Sequence, residues 1–275
     1  MTRVALFQAT TGIDPEANGR ALTKAIEDAS AGSAEMLFTP EMSGLLDRDP
    51  ARAAKVLRAE DEDQVLAACR EAAARHRIWL HIGSLAVLVD NGKVANRSFV
   101  IDREGRVRAT YDKLHLFDVD LPTGESWRES NVYSPGAGVV LVNGTPVGKL
   151  GLTICYDLRF PGLFAQLAEA AADVIAVPAA FTVPTGKAHW HVLLRARAIE
   201  AGLFVVAAAQ VGHHEDGRNT FGHSLVIDPW GEVLLDMGEE QGLGFADIDL
   251  KRISDVRARI PALNHRRPIP QAVTL

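Results

Sequence analysis

The chain is poor in cysteine, and the scarcity excludes several classes. Two thiols in 275 residues, Cys69 and Cys155, make no disulfide framework, and no Cys/His cluster has zinc-finger spacing. Apolar runs long enough to cross a bilayer are missing, and the opening MTRVALFQAT lacks the apolar core of a signal peptide. A soluble, cytoplasmic protein with no membrane partner is expected. Basic residues are in deficit: 29 Lys and Arg against 35 Asp and Glu give a formal charge of −6. That balance argues against a nucleic-acid or anionic-membrane partner. A glycine-rich nucleotide loop is also absent, so a small molecule is the expected partner.

What remains is ordinary for a globular chain with a sizeable core: 47% hydrophobic and 23% charged residues. One large domain over 1–275 is expected, with a Pro-rich, basic tail from about 262. VALFQA (4–9) has a strand's composition, and Asp14-Pro15 caps a helix with apolar positions Ala21, Leu22, Ala25, Ile26 and Ala29. MLFTPE (36–41) is a strand ending in glutamate. A second amphipathic helix covers roughly 61–76 with Cys69 on its inner face. Strands follow at 78–89, 95–102 and 106–112, then a long irregular segment, 114–136, of the kind that is often functional. Strands near 138–142 and 147–154, a helix from Pro161 to about 171 and strand 173–178 come next. The loop AAFTVPTGKA leads into a helix at about 188–201, followed by strand 204–210, a polar loop and the hairpin SLVIDPWGEVLLD.

Two segments echo each other: the runs starting at Ser98 and Ser224 share S-x-V-I-D-x-x-G-x-V. Ordinary hairpin chemistry can produce such a match, because Asp and Gly favour these turns. Two matching sheets in a pseudo-symmetric fold can produce it as well. Strands mixed with helices throughout predict an α/β fold, two sheets covered by helices.

Glu41, Lys113 and Cys155 share a context, since each follows a strand-like run and opens a loop. If the strands lie side by side, their ends converge on one site. The chemistry is then coherent: a carboxylate takes the thiol proton, the thiolate attacks, and an ammonium stabilises the resulting oxyanion. The backbone N–H of Tyr156 is the natural second oxyanion donor. A strand-to-helix junction is expected to expose the Cys155 side chain near a helix N-terminus that lowers its pKa.

TPEMSG (39–44), YDKLHLFDVD (111–120) and CYDLRFPGL (155–163) resemble, in order, the three signature regions of the nitrilase or carbon–nitrogen hydrolase superfamily, and the similarity runs from the first strand to about residue 268. The resemblance implies an α-β-β-α sandwich of two mixed sheets flanked by helices. It further implies dimerisation that extends the sandwich to four layers, so that a homodimer or higher homo-oligomer is expected, no cofactor, and thioester catalysis on a small amide. ESNVYSPG (129–136) is similar to the segment where the superfamily keeps a second glutamate, which makes Glu129 the matching acid. Glu125 offers a competing alignment, and the S-P-G ending favours Glu129.

Arg159 lies four residues after the nucleophile, so one helical turn can place its guanidinium beside the site, where its fork suits a carboxylate. A structural ion pair with Asp157 or Glu200 is the other reading of the same spacing. PTGKAHWHVLLRARAIE, the segment around VVAAAQVGHHEDGRNTFG and the closing NHRRP look especially like the deaminated-glutathione amidase branch, more than the omega-amidases. That resemblance implies cleavage of deaminated glutathione to 2-oxoglutarate and cysteinylglycine, with Arg159 and Thr185 holding the α-keto carboxylate end. Phe181, His189 and Trp190 belong to the same substrate region; the last two are expected to wall the pocket or start the helix. Val183-Pro184 and Lys187 depart from the branch pattern. His189, His191, His213, His214 and His223 lack the spacing of a hydrolytic metal centre. The rival readings are an omega-amidase on 2-oxoglutaramate or 2-oxosuccinamate, a nitrilase, and a non-catalytic binding protein.

Overall fold

The computed structural model describes residues 1–89, 92–120, 124 and 126–274. In chain order the first half gives β1 (Thr2–Gln8), α1 (Pro15–Ala31), β2 (Met36–Phe38), α2 (Pro50–Ala53), α3 (Gln64–His76), β3 (Trp79–Leu88), β4 (Val94–Ile101), β5 (Val107–Asp112), β6 (Asp118–Asp120) and β7 (Ser126–Arg128). The second half gives β8 (Leu141–Thr145), β9 (Gly148–Leu152), α4 (Pro161–Glu169), β10 (Val174–Ala176), α5 (Val183–Ala201) and β11 (Phe204–Ala207). After these come β12 (Val211–His213), β13 (Asn219–Phe221), β14 (Leu225–Ile227), β15 (Val233–Asp236), β16 (Gly242–Ile248) and α6 (Lys251–Arg259).

Two six-stranded mixed sheets form the centre, ordered β16-β1-β2-β3-β4-β5 and β8-β9-β10-β11-β14-β15. They match strand for strand. In each, three parallel strands are followed by an antiparallel pair on one side and one antiparallel edge strand on the other. The S-x-V-I-D echo falls on equivalent hairpins, β4–β5 and β14–β15. Asp102 Oδ1 accepts the Glu104 and Arg106 N–H groups at 3.0 Å each, and Asp228 Oδ1 accepts the Trp230 and Glu232 N–H groups at 2.9 and 2.8 Å. Both readings of the echo therefore hold, since the hairpin chemistry is the local form of the pseudo-symmetry.

Alternation along each strand builds the layers. Val4, Leu6, Met36, Phe38 and Val100 face the second sheet, while Ala5, Phe7, Leu37, Leu80 and Phe99 face α1 and α3. Helices α4 and α5 cover the other side of the second sheet, through Leu163, Leu167, Leu194 and Ala198. The result is α-β-β-α. Asp14 caps α1 by accepting Glu16 N–H at 2.9 Å. Cys69 is fully buried under α3.

Several boundaries differ from the expectation. Ala21 is exposed, and Asn18 and Gly19 take the buried turn of α1 instead. Helix α5 begins at Val183 rather than 188, because Pro184 fits a first turn where no N–H is needed. Segment 114–136 carries the hairpin β6–β7, and the polar loop after 210 carries β12–β13. The strand expected to run to 210 ends at Ala207. Strand β16, antiparallel to β1, and helix α6 were not anticipated; β16 contains two glycines and sits at a sheet edge, so its apolar signal is weak.

Candidate active site

Three strand ends meet at the floor of a cavity of about 730 Å³. Glu41 stands three residues past β2 on a loop pressed against β3. Gly83 permits that approach, since a Cβ there would lie 2.1 Å from Thr39 O. The loop is tied down by Ser43 N–H to Ser84 O (2.9 Å), Met42 N–H to Ser84 Oγ (2.8 Å) and Gln210 Nε2 to Glu41 O (2.9 Å). Lys113 directly follows β5. Its N–H donates to Asn96 O at 3.0 Å and its carbonyl accepts Gly136 N–H at 2.8 Å. Gly136, the last residue of the S-P-G segment, packs so tightly on Asp112 that a Cβ would lie 2.0 Å from its carbonyl oxygen. That fit fixes the register of Glu129 relative to the lysine.

The polar groups form one buried network. Lys113 Nζ donates to Glu41 Oε1 at 2.9 Å and to Glu129 Oε2 and Oε1 at 2.9 and 3.1 Å. Glu41 Oε2 accepts Ala180 N–H at 3.0 Å, and Glu129 Oε2 accepts Phe117 N–H at 2.6 Å. Glu125 lies outside the described residues. Asn96 was not anticipated. Its Nδ2 bridges both acids, 2.9 Å from Glu41 Oε1 and 3.2 Å from Glu129 Oε1. The available signal was an asparagine inside the apolar strand VANRSFVI, on the same alternation as Ser98 and Val100 and so facing the second sheet.

Cys155 opens a short 3-10 turn, Cys155–Arg159, between β9 and α4. Its φ of +49° is strained for a residue with a Cβ, at a cost of about 1–3 kcal/mol. Its N–H donates to Pro178 O at 2.8 Å and the Asp157 N–H to Ile154 O at 3.0 Å, whereas the Tyr156 N–H finds no acceptor among the described residues. The thiol is buried, not exposed, and its pKa moves opposite to the expectation. Burial, then the Glu41 carboxylate, push it well above the ordinary thiol value against the pull of Lys113. Helix α4 begins only at Pro161, past the 3-10 turn, so its N-terminus is not at the cysteine. Burial also pushes the Glu41 carboxyl up, but Lys113 and the surrounding hydrogen bonds reverse this and hold it below the ordinary value. For Lys113 burial pulls down, and Glu129 and Glu41 raise it well above the usual lysine range. The resting site is a neutral thiol beside a carboxylate clamped by an ammonium.

The substrate-side residues divide. Arg159, Phe181 and Thr185 line the cavity. Arg159 makes no ion pair with Asp157 or Glu200: Asp157 is occupied by Tyr111, His115 and Ile154, and Glu200 pairs with Arg197 at 2.9 Å. The guanidinium instead lies 5.6 Å from the Phe181 ring centre and 3.3 Å from His189 Nδ1. Trp190 does not wall the cavity. It is buried behind Phe181, ring centres 4.8 Å apart, with Nε1 donating to His223 O at 2.8 Å. His189 is exposed and reaches the site only through Arg159. Both lie inside α5, seven and eight residues from Thr182, so neither starts that helix. Outside the cavity, Asp236 takes one hydrogen bond from His191 Nε2 (3.0 Å) and one from His223 Nδ1 (2.9 Å).

A model of the carbon–nitrogen hydrolase family matches residues 3–258. The chain belongs to the carbon–nitrogen hydrolase family. Over 266 residues this hydrolase is 40% identical to the nitrilase and fragile histidine triad fusion protein NitFhit of Caenorhabditis elegans, covering 96% of the chain but only 60% of the relative. The crystal structure of that protein superimposes with a TM-score of 0.89 over 97% of this chain and 65% of its own. Deaminated glutathione amidase of Mus musculus is 39% identical over 269 residues, 96% of this chain and 83% of the mouse protein. Saccharomyces cerevisiae Nit3, of the nitrilase superfamily, superimposes with a TM-score of 0.86 at 27% identity, covering 97% and 96% of the two chains. Among the described residues no helix of the hydrolase is long and apolar enough to cross a membrane.

Proposed function

We propose that this hydrolase cleaves the amide of deaminated glutathione, giving 2-oxoglutarate and cysteinylglycine, through a thioester on Cys155. The observation that carries the substrate is Arg159: a guanidinium on the cavity wall with no carboxylate partner among the described residues. An α-keto carboxylate supplies that partner in a bidentate geometry, and Thr185 lies on the same wall. The matching relatives named deaminated glutathione amidase support the same reading.

In the mechanism, Glu41 takes the Cys155 proton as sulfur attacks the amide carbonyl carbon. Charge develops on the carbonyl oxygen, which Lys113 and the Tyr156 N–H stabilise. Lys113 releases one of its bonds to Glu129 to do so, and Glu129 holds the ammonium in place. The C–N bond breaks as Glu41 returns the proton to the amine. Water, deprotonated by Glu41, then attacks the thioester, the C–S bond breaks, and the thiol regains its proton. The chain acts as one domain, residues 1–275 with a tail from about 262, as a cytoplasmic homodimer.

An omega-amidase on 2-oxoglutaramate or 2-oxosuccinamate shares the acyl end and Arg159, but its small substrates leave much of a 730 Å³ cavity unused. Steady-state comparison of the three amides with wild type and Cys155→Ala tests the proposal. A higher kcat/KM for deaminated glutathione, abolished in a folded Cys155→Ala, is expected. Preference for the short amides, or turnover by that variant, overturns it.

A further inference from the structure

Beyond the catalytic groups the cavity continues between the loop after Glu41 and the β12–β13 hairpin, and its lining there carries Arg48, Arg128 and Arg218 together with one acid, Asp47. Arg128 is neutralised by Asp120, at 2.8 and 2.9 Å. Arg218 donates Nε to Oδ2 of the buried Asp216 carboxylate at 2.7 Å and keeps Nη2 2.6 Å from the same oxygen, while Nη1 is unengaged among the described residues. Arg48 is anchored by its backbone, its N–H donating to Asp216 Oδ2 at 3.0 Å. The Arg48 guanidinium has no carboxylate partner among the described residues, since the neighbouring Asp47 is taken by Arg52 at 2.7 and 2.8 Å. One buried carboxylate therefore holds the Arg218 guanidinium and the Arg48 backbone at this end of the cavity, while the exposed Arg48 side chain makes no hydrogen bond among the described residues.

A row of rings connects that end to Arg159. Arg159 lies over Tyr156 (5.9 Å), Tyr156 meets Phe117 edge-on (5.1 Å), Phe117 meets Trp127 (6.4 Å), and Arg218 lies over Trp127 (5.0 Å). All five line the same cavity. A guanidinium thus stands at each end of one aromatic strip.

We propose that Arg48 and Arg218 form a second anion subsite, which takes a carboxylate on the amine leaving group, so that the enzyme selects amides with a carboxylate at both ends. The inference rests on the reading of Arg159 as the acyl-side anchor. The scissile bond separates the two carboxylates of such a substrate, as the strip separates the two guanidinium sites. Arg218 is half-buried and Arg48 is exposed, and two cations on one cleft focus their field on a carboxylate that enters it. The aromatic strip between them packs the uncharged middle of the substrate.

The test uses matched amides whose leaving amine ends either in a carboxylate or in the corresponding carboxamide. One pair is deaminated glutathione and its glycinamide form. A second pair uses the acyl group that the wild type hydrolyses fastest in a panel of small amides. The ratio of kcat/KM within a pair is the readout. In Arg48→Ala the preference for the carboxylate member falls roughly ten- to hundredfold, mostly through KM, as expected for losing a hydrogen bond to a charged group. Arg48→Lys keeps part of the preference and Arg48→Glu loses all of it. A wild type without preference, or an unchanged ratio in Arg48→Ala and Arg48→Glu, overturns the subsite. A wild type that ignores amides of 2-oxo acids but discriminates within the second pair overturns the deaminated-glutathione reading and leaves the subsite standing.

Discussion

Tyr111 donates its hydroxyl to Asp157 Oδ2 at 2.7 Å, and this bond joins the strand that leads into Lys113 to the turn that carries Cys155. Asp157 Oδ1 accepts the His115 N–H at 3.1 Å and meets His115 Nδ1 at 2.7 Å, while Oδ2 also takes the Ile154 N–H at 2.9 Å. Residues two before and two after the lysine are thereby pinned to the residue two after the nucleophile. Tyr111→Phe deletes one of these bonds inside the core. It is expected to cost about 2 kcal/mol, as for a hydrogen bond to a charged group, and to lower kcat with little change in KM. Urea unfolding and steady-state kinetics check this. A variant with wild-type kcat would show that the bond only stabilises.

Asn96 makes a second prediction, because its amide is what links the two acids. Asn96→Ala removes a hydrogen bond that favours ionised Glu41, so the Glu41 pKa rises and the acid limb of the kcat/KM profile moves to higher pH. Looser positioning lowers kcat on the order of 10- to 100-fold. Asn96→Ser, which retains a donor, recovers part of both. A lower kcat with an unmoved acid limb would assign Asn96 to packing alone.

The fold and the three strand ends were legible because they rest on local patterns: alternation, capping by Asp14 and the junctions at Glu41, Lys113 and Cys155. The partners of Asn96 and Asp157 were not, because neither an asparagine in an apolar strand nor an aspartate two residues past a cysteine announces a partner 55 or 46 positions away. The direction of the Cys155 pKa shift is hidden in the sequence for a related reason. A helix N-terminus is visible in sequence, whereas burial against Glu41 appears only once β2 and β9 lie in facing sheets. Trp190 lies behind the cavity because α5 starts at Val183, which gives the cavity wall to Thr182 and Thr185 at the helix start and leaves Trp190 deeper in the helix on its buried side.

Lys113 separates stability from catalysis through pH. In the wild type the lowered Glu41 pKa contributes stability that is present above the ordinary carboxylate range and is lost as pH falls through the lowered value. The raised Lys113 pKa contributes below the ordinary lysine value, and that contribution is lost only as pH rises through the raised one. Lys113→Met leaves buried acids without a counter-ion, which costs about 3–5 kcal/mol at neutral pH. Glu41 then feels mainly burial, its pKa rises, and folding takes up a proton. The difference in Tm from wild type should therefore shrink between pH 8 and pH 5. A constant or growing gap contradicts the ion-pair account.

The two thiols should behave differently toward an alkylating reagent, and Glu41 controls one of them. Burial pushes Cys69 up to about 12 under α3, away from the cavity, so iodoacetamide is expected to label Cys155 alone in the folded protein. In Glu41→Gln the repulsion that raises the Cys155 pKa is gone, so the pH midpoint of alkylation falls, because thiolate forms more readily. Amidase turnover nevertheless falls on the order of 10³-fold, because the group that accepts and returns the proton is missing. Peptide mapping of the labelled site together with kcat measures both. Opposite movement of reactivity and turnover identifies Glu41 as a base, whereas a joint fall would make it only an organiser of the thiol.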